Sequence, residues 1–150
     1  MQLDRQAIEA VIPHGDPFLF LDRAELLAES ASGQYAITGE EFFLRGHFAG
    51  NPVFPASIML EALGQLAVLF LIAADSPMLE GKQADPAKVF FHSTDGVRCS
   101  RFCQPGDVLD MVIKPRRIRH PRAGFSGTIS VDGEKASFAE EINLMFDWKA

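Results

Sequence analysis

Cysteine is nearly missing from this chain, which has only Cys99 and Cys103. A small secreted scaffold held by disulfides carries several pairs, so the scarcity points to a reducing compartment. Basic charge is short as well. Lysine and arginine total 14 against 20 aspartates and glutamates, a formal net charge of −6. That balance argues against nucleic acid as the main partner, because phosphate binding needs a concentrated positive field. The opening MQLDRQAIEAVIPHGDP lacks the basic start, apolar centre and small-residue cleavage site of a signal peptide. Together with the cysteine count, this gives a cytoplasmic location as the expectation. His14, His47, His92 and His120 show no metal-ligand spacing, so no metal site is expected. No repeat, low-complexity tract or linker divides the 150 residues, which read as a single domain, 1–150.

Apolar residues are plentiful. They make up 47% of the chain, with 13 phenylalanines among them, and this excludes intrinsic disorder. The run Ala56–Ala74 (ASIMLEALGQLAVLFLIAA) approaches the length of a membrane span. Glu61 and Gln65 lie inside it, and an unpaired carboxylate in lipid costs about 3 kcal/mol or more. The run therefore reads as a buried core helix, about 56–74, and no membrane span is expected.

Around that helix the pattern is mostly strand. Gln2–Val11 suits a short amphipathic helix with Asp4 at its start, and Pro13 ends it. Phe18–Leu27 and Gln34–Thr38 read as strands. Phe42–Pro55 is too punctuated by glycine and proline to be regular. Lys88–Phe91, Gly96–Phe102, Val108–Arg119, Ala123–Val131 and Glu134–Phe146 read as further strands, with turn signals at Pro105–Asp107 and Asp132–Gly133. The result is an α+β domain whose antiparallel β-sheet wraps a long central helix. Such a sheet leaves an edge strand and apolar surface open, so a homodimer is expected.

The chemistry concentrates in Gly46–Gln65 (GHFAGNPVFPASIMLEALGQ). His47 lies in a constrained loop before the helix. Ser57, Glu61 and Gln65 stand at i, i+4 and i+8 and share one helix face. Burial of Glu61 would favour its neutral form and let it act as an acid, and a neutral imidazole nearby could act as the base. Free N–H groups at the helix start can polarise a carbonyl as enolate charge develops. Base, acid and oxyanion donors together suit removal of an α-proton with loss of a β-hydroxyl. On spacing alone, a capping histidine and a structurally paired glutamate would give the same pattern.

The same stretch resembles the signature of the FabZ-type 3-hydroxyacyl-acyl-carrier-protein dehydratases, GHFPGNPVMPG followed by a helix carrying EALAQ. Ile12–Arg23 (IPHGDPFLFLDR) is similar to that family's LPHR-PFLLVDR opening, Gln104–Leu109 to its PGD turn, and Val131–Glu141 to its VDG hairpin. The related FabA-type enzymes carry Asp where this chain has Glu61. The resemblance implies a hot-dog fold and dehydration of 3-hydroxyacyl thioesters on acyl carrier protein, in fatty acid or related lipid and polyketide biosynthesis. It implies His47 and Glu61 as the catalytic pair, contributed by two subunits of a homodimer, with dimers gathering into a trimer of dimers. It implies Ala56, Ser57, Gln65, Phe90 and Phe91 as substrate-binding residues beside an acyl tunnel, and no metal or organic cofactor.

Several positions depart from the pattern. Ala49 replaces the usual Pro, Ala56 the usual Gly, and Gly15 the usual Arg after His14, while Phe90 and Phe91 stand where tyrosines are common. His14 reads as structural. The basic run Lys114–Arg122 (KPRRIRHPR), with Arg116, Arg117 and Arg119, suits docking of an acidic acyl carrier protein, although a solvated strand end would look the same. Two other functions fit the fold: an acyl thioesterase, and a non-catalytic acyl-thioester-binding subunit.

Overall fold

The computed structural model describes residues 1–150. The chain opens with a short strand, β1 (Gln2–Asp4), which runs directly into α1 (Arg5–Glu9). The Asp4 carboxylate accepts from the Ala7 N–H at 2.8 Å and caps that helix. The helix is shorter than the apolar spacing suggests because Gln2–Asp4 pair with Arg23–Glu25 of β2 (Arg23–Leu26). Then follow β3 (Ala31–Ala36), the long helix α2 (Ala56–Ala73), and the strands β4 (Ala84–Cys99), β5 (Val108–Arg119), β6 (Arg122–Val131) and β7 (Glu134–Trp148). All seven strands form one antiparallel sheet in the order β1-β2-β3-β5-β6-β7-β4.

Helix α2 lies in the hollow of this sheet and is buried on every side from Ala62 to Ile72. Its length and mean hydropathy of 2.0 would serve a membrane span, but 67% of it is covered by the chain's own strands, as in the core of a soluble domain. The sheet approaches closely where glycine permits. A Cβ on Gly127 of β6 would lie 3.1 Å from both Leu63 methyl groups. The β6–β7 hairpin turns on Asp132 and Gly133, both with positive φ, as the Asp-Gly signal requires. This is the hot-dog arrangement, an α+β fold. Cys99 and Cys103 are unbonded to each other, and burial pushes the Cys103 thiol up.

Three strand assignments need correction. Phe18–Phe20 does not join the sheet even though Leu19, Phe20 and Leu21 are buried. Its backbone is held largely by side chains: Arg5 donates to the Leu19 and Leu21 carbonyls, and Gln65 bonds the Phe20 N–H and the Phe18 carbonyl, while the Phe18 N–H donates to the Gly15 carbonyl. The second strand starts earlier than Gln34 and runs through Gly33, where a side chain would meet the Arg23 carbonyl and Leu21 at 3.2 Å. Lys88–Phe91 and Gly96–Phe102 are parts of one strand, β4, which passes through Gly96 at φ 61° and ends at Cys99. β7 supplies the ladder along its length, with irregular register near Phe91 and Ser93.

Candidate active site

The loop before α2 is built around a tight turn. Phe48 and Asn51 exchange two backbone hydrogen bonds, 2.8 and 2.9 Å long, and Gly50 between them has φ 73°. Positive φ at the second central residue alone marks a type II turn, with Ala49 at the position proline favours. The turn presents His47, whose ring stacks on Phe48 with centroids 4.0 Å apart. His47 Nδ1 lies 2.7 Å from the Val53 carbonyl oxygen. A carbonyl can only accept, so Nδ1 carries the hydrogen and Nε2 keeps its lone pair free.

Pro55 caps the helix without a side-chain bond, in extended backbone. The first helical N–H to find an acceptor is that of Ile58, which donates to the Pro55 carbonyl. The N–H groups of Ala56 and Ser57 are left free at an exposed helix start, where the dipole favours negative charge.

One turn further along, Glu61 is held by a network that spacing does not reveal. Gln65 is fully buried and uses its whole amide. Its Oε1 accepts from the Phe20 N–H at 2.8 Å, while Nε2 donates to the Phe18 carbonyl and to Glu61 Oε2, both at 3.0 Å. His14 reaches the same oxygen, with Nε2 3.4 Å from Glu61 Oε2. His14 Nδ1 is buried with no partner. Nε2 faces a carboxylate oxygen, which accepts and would repel a ring lone pair, so in the neutral ring the hydrogen belongs on Nε2. The proximity of His14 to Glu61 is the feature that sequence reasoning missed. Only the IPHGDP motif hinted at it, because nothing in local spacing brings the first loop over α2.

The other candidates separate. The Glu61 side chain keeps 30% of its surface, so its own chain supplies less cover than its place in an apolar helix suggested. No hydrogen bond or ion pair joins His47 to Glu61 within one chain; their partners are Val53 for the one, Gln65 and His14 for the other. Phe90 and Phe91 lie on the open edge strand β4, 60% and 44% exposed. Phe91 reaches to 3.9 Å from where a Gly64 Cβ would be, beside Glu61 and Gln65 on α2. Arg117 and Arg119 share a recess of about 370 Å³ with His92 and Arg122, whereas Arg116 lines a different one with Asp95 and Glu140.

Comparison with known proteins agrees with this architecture. Residues 12–140 match the family model described as a FabA-like domain. A 3-hydroxyacyl-acyl-carrier-protein dehydratase FabZ of Thermomicrobium roseum is 35% identical over 150 residues, covering 99% of this chain and 96% of that protein. Other bacterial relatives of the same description span 34% to 40% identity. A dehydratase heterocomplex from Xenorhabdus doucetiae superposes with a TM-score of 0.61 at 21% identity, over 81% of this chain and 93% of that one. A hypothetical thioesterase crystallised with coenzyme A, from Streptococcus pneumoniae, reaches 0.60 at 7% identity over 82% of each chain, a likeness of fold alone. With the family model and near full-length relatives in agreement, the chain belongs to the FabA-like domain family.

Proposed function

We propose that the protein is a 3-hydroxyacyl-acyl-carrier-protein dehydratase, a hydro-lyase that turns a 3-hydroxyacyl thioester into the trans-2-enoyl thioester and water. The observation that carries this reading is the state of His47. Its Nδ1–H is committed to the Val53 carbonyl, so in the neutral ring the lone pair is on Nε2, in a loop before the helix of a chain whose relatives bear that name. In this reading Nε2 removes the α-proton, and the free N–H groups of Ala56 and Ser57 receive the charge that builds on the thioester oxygen. Glu61 delivers a proton to the β-hydroxyl as the C–O bond breaks, and the hydroxyl leaves as water. His47 and Glu61 have no contact within a chain, so the pair comes from two subunits of a homodimer, with dimers assembling further into a trimer of dimers. Phe90 and Phe91 line the acyl path beside the helix.

The pathway is fatty acid synthesis or a related lipid or polyketide route in the cytoplasm. The carrier docks through the basic side chains Arg116, Arg117 and Arg119, set against an acidic background. Incubation with a panel of 3-hydroxyacyl carriers, with products identified by mass, tests the reading. Enoyl product is expected, with His47→Ala and Glu61→Gln each lowering kcat by about 10²–10⁴-fold. Release of free acid would make the protein a thioesterase. Charge reversal at Arg117 and Arg119 is expected to raise KM for carrier-bound substrate and leave a small thioester unaffected.

A further inference from the structure

We propose that His14 and Gln65 are positioning residues that fix which oxygen of Glu61 handles the proton. The inference deepens the dehydratase reading and takes its consequence from it. Gln65 cannot turn its amide over: Oε1 is held by the Phe20 N–H, and Nε2 is held by the Phe18 carbonyl. Its remaining hydrogen must therefore face Glu61 Oε2, 3.0 Å away. The His14 ring is committed in the same way. Its Nε2 faces that same Oε2 at 3.4 Å, so the hydrogen of the neutral ring sits on Nε2, and the buried Nδ1 has no partner to draw it away. At 3.4 Å the contact is longer than a hydrogen bond, and catalytic contacts of this length commonly tighten when substrate binds.

The Gln65 hydrogen bond and, at the longer distance of 3.4 Å, the His14 ring thus both face Oε2, and it acts as an acceptor only. Oε1 has no partner in the chain and is the oxygen that carries a proton outward. In the reaction it gives that proton to the β-hydroxyl, the Cβ–O bond breaks, and water departs as the electron pair from the Cα–H bond becomes the double bond. Without the two donors the carboxyl group can rotate and present either oxygen, and the fraction of productive encounters falls.

Two measurements on the intact protein test this. The first compares His14→Phe, which keeps a ring and removes the donor, with His14→Gln, which gives up the ring and keeps an N–H near the Nε2 position. His14→Phe is expected to lower kcat by about 10–100-fold with KM little changed, and His14→Gln to recover most of it. Melting temperatures show that both variants are folded. The opposite order, with Phe active and Gln impaired, means that His14 only fills space, and overturns the proposal. The second is ¹⁵N NMR of the histidine rings at pH 8, with His14 assigned from the variant. Hydrogen on Nε2 is expected, and hydrogen on Nδ1 overturns the proposal. The NMR result needs no turnover, so it stands apart from failure of the dehydratase reading, which would show as an unaltered protein that makes no enoyl product.

Discussion

Single side chains in this protein take their chemistry from what their polar atoms are forced to face. His47 and His14 carry their ring hydrogens on opposite nitrogens, one because a carbonyl faces Nδ1 and the other because a carboxylate faces Nε2. The identity of His47 as a candidate was legible in the sequence, but its tautomer was not, since that depends on the backbone of Val53 folding under the ring. Tyr35 and Glu41 obey the same logic away from the site. The Tyr35 hydroxyl donates to Glu41 at 2.6 Å, and the carboxylate also accepts from the Thr38 and Gly39 N–H groups. Burial alone would push the Glu41 carboxyl up, but these bonds outweigh it and hold it below the usual range. Burial and the neighbouring carboxylate push the Tyr35 hydroxyl up. A carboxyl lowered by folding stabilises the folded state above its unfolded value of about 4.3 and loses that effect as the pH falls through the folded value. Tyr35→Phe is therefore expected to destabilise the protein at pH 7 by about 1–2 kcal/mol, read by urea unfolding. The gap from the unaltered protein should narrow as the pH drops below about 4.

Elements form where local preference and tertiary pairing agree, and the misread ones show which of the two prevailed. Helix α2 and the β6–β7 hairpin were legible because an apolar run and an Asp-Gly turn fix them locally. Phe18–Phe20 was not, because an apolar run bonded by the side chains of Arg5 and Gln65 has the same composition as one bonded by a neighbouring strand. The sheet and α2 approach closely at Gly127 and Leu63. Gly127→Ala requires the fully buried Leu63 methyl groups to give by a few tenths of an ångström in a packed core, and thermal unfolding is expected to show a loss of about 1 kcal/mol. The turn that presents His47 offers the reverse case. Ala49 precedes a glycine at positive φ and its N–H has no partner, so Ala49→Pro is expected to add about 0.4–1 kcal/mol by restricting the unfolded chain.

At the scale of the whole molecule, β4 ends the sheet with its outer backbone unpaired and with Phe90, Phe91 and Val97 in the open. An edge of that length and character is a template for another chain. The expectation of an open edge was legible from the apolar strands. Which strand would form it was not, because β4 is fourth in sequence and outermost in space, a consequence of how the chain crosses the sheet after α2. Phe90→Lys is expected to shift the mass measured by light scattering from an oligomer towards the monomer, and an unchanged mass would remove β4 as the contact. Gln65 links these scales, since a single amide both fastens the Phe18–Phe20 arm and turns Glu61. An engineer who lengthens or reshapes the segment between Pro13 and Phe18 would thereby disturb the Glu61 carboxylate as well, because one amide is the clasp for both.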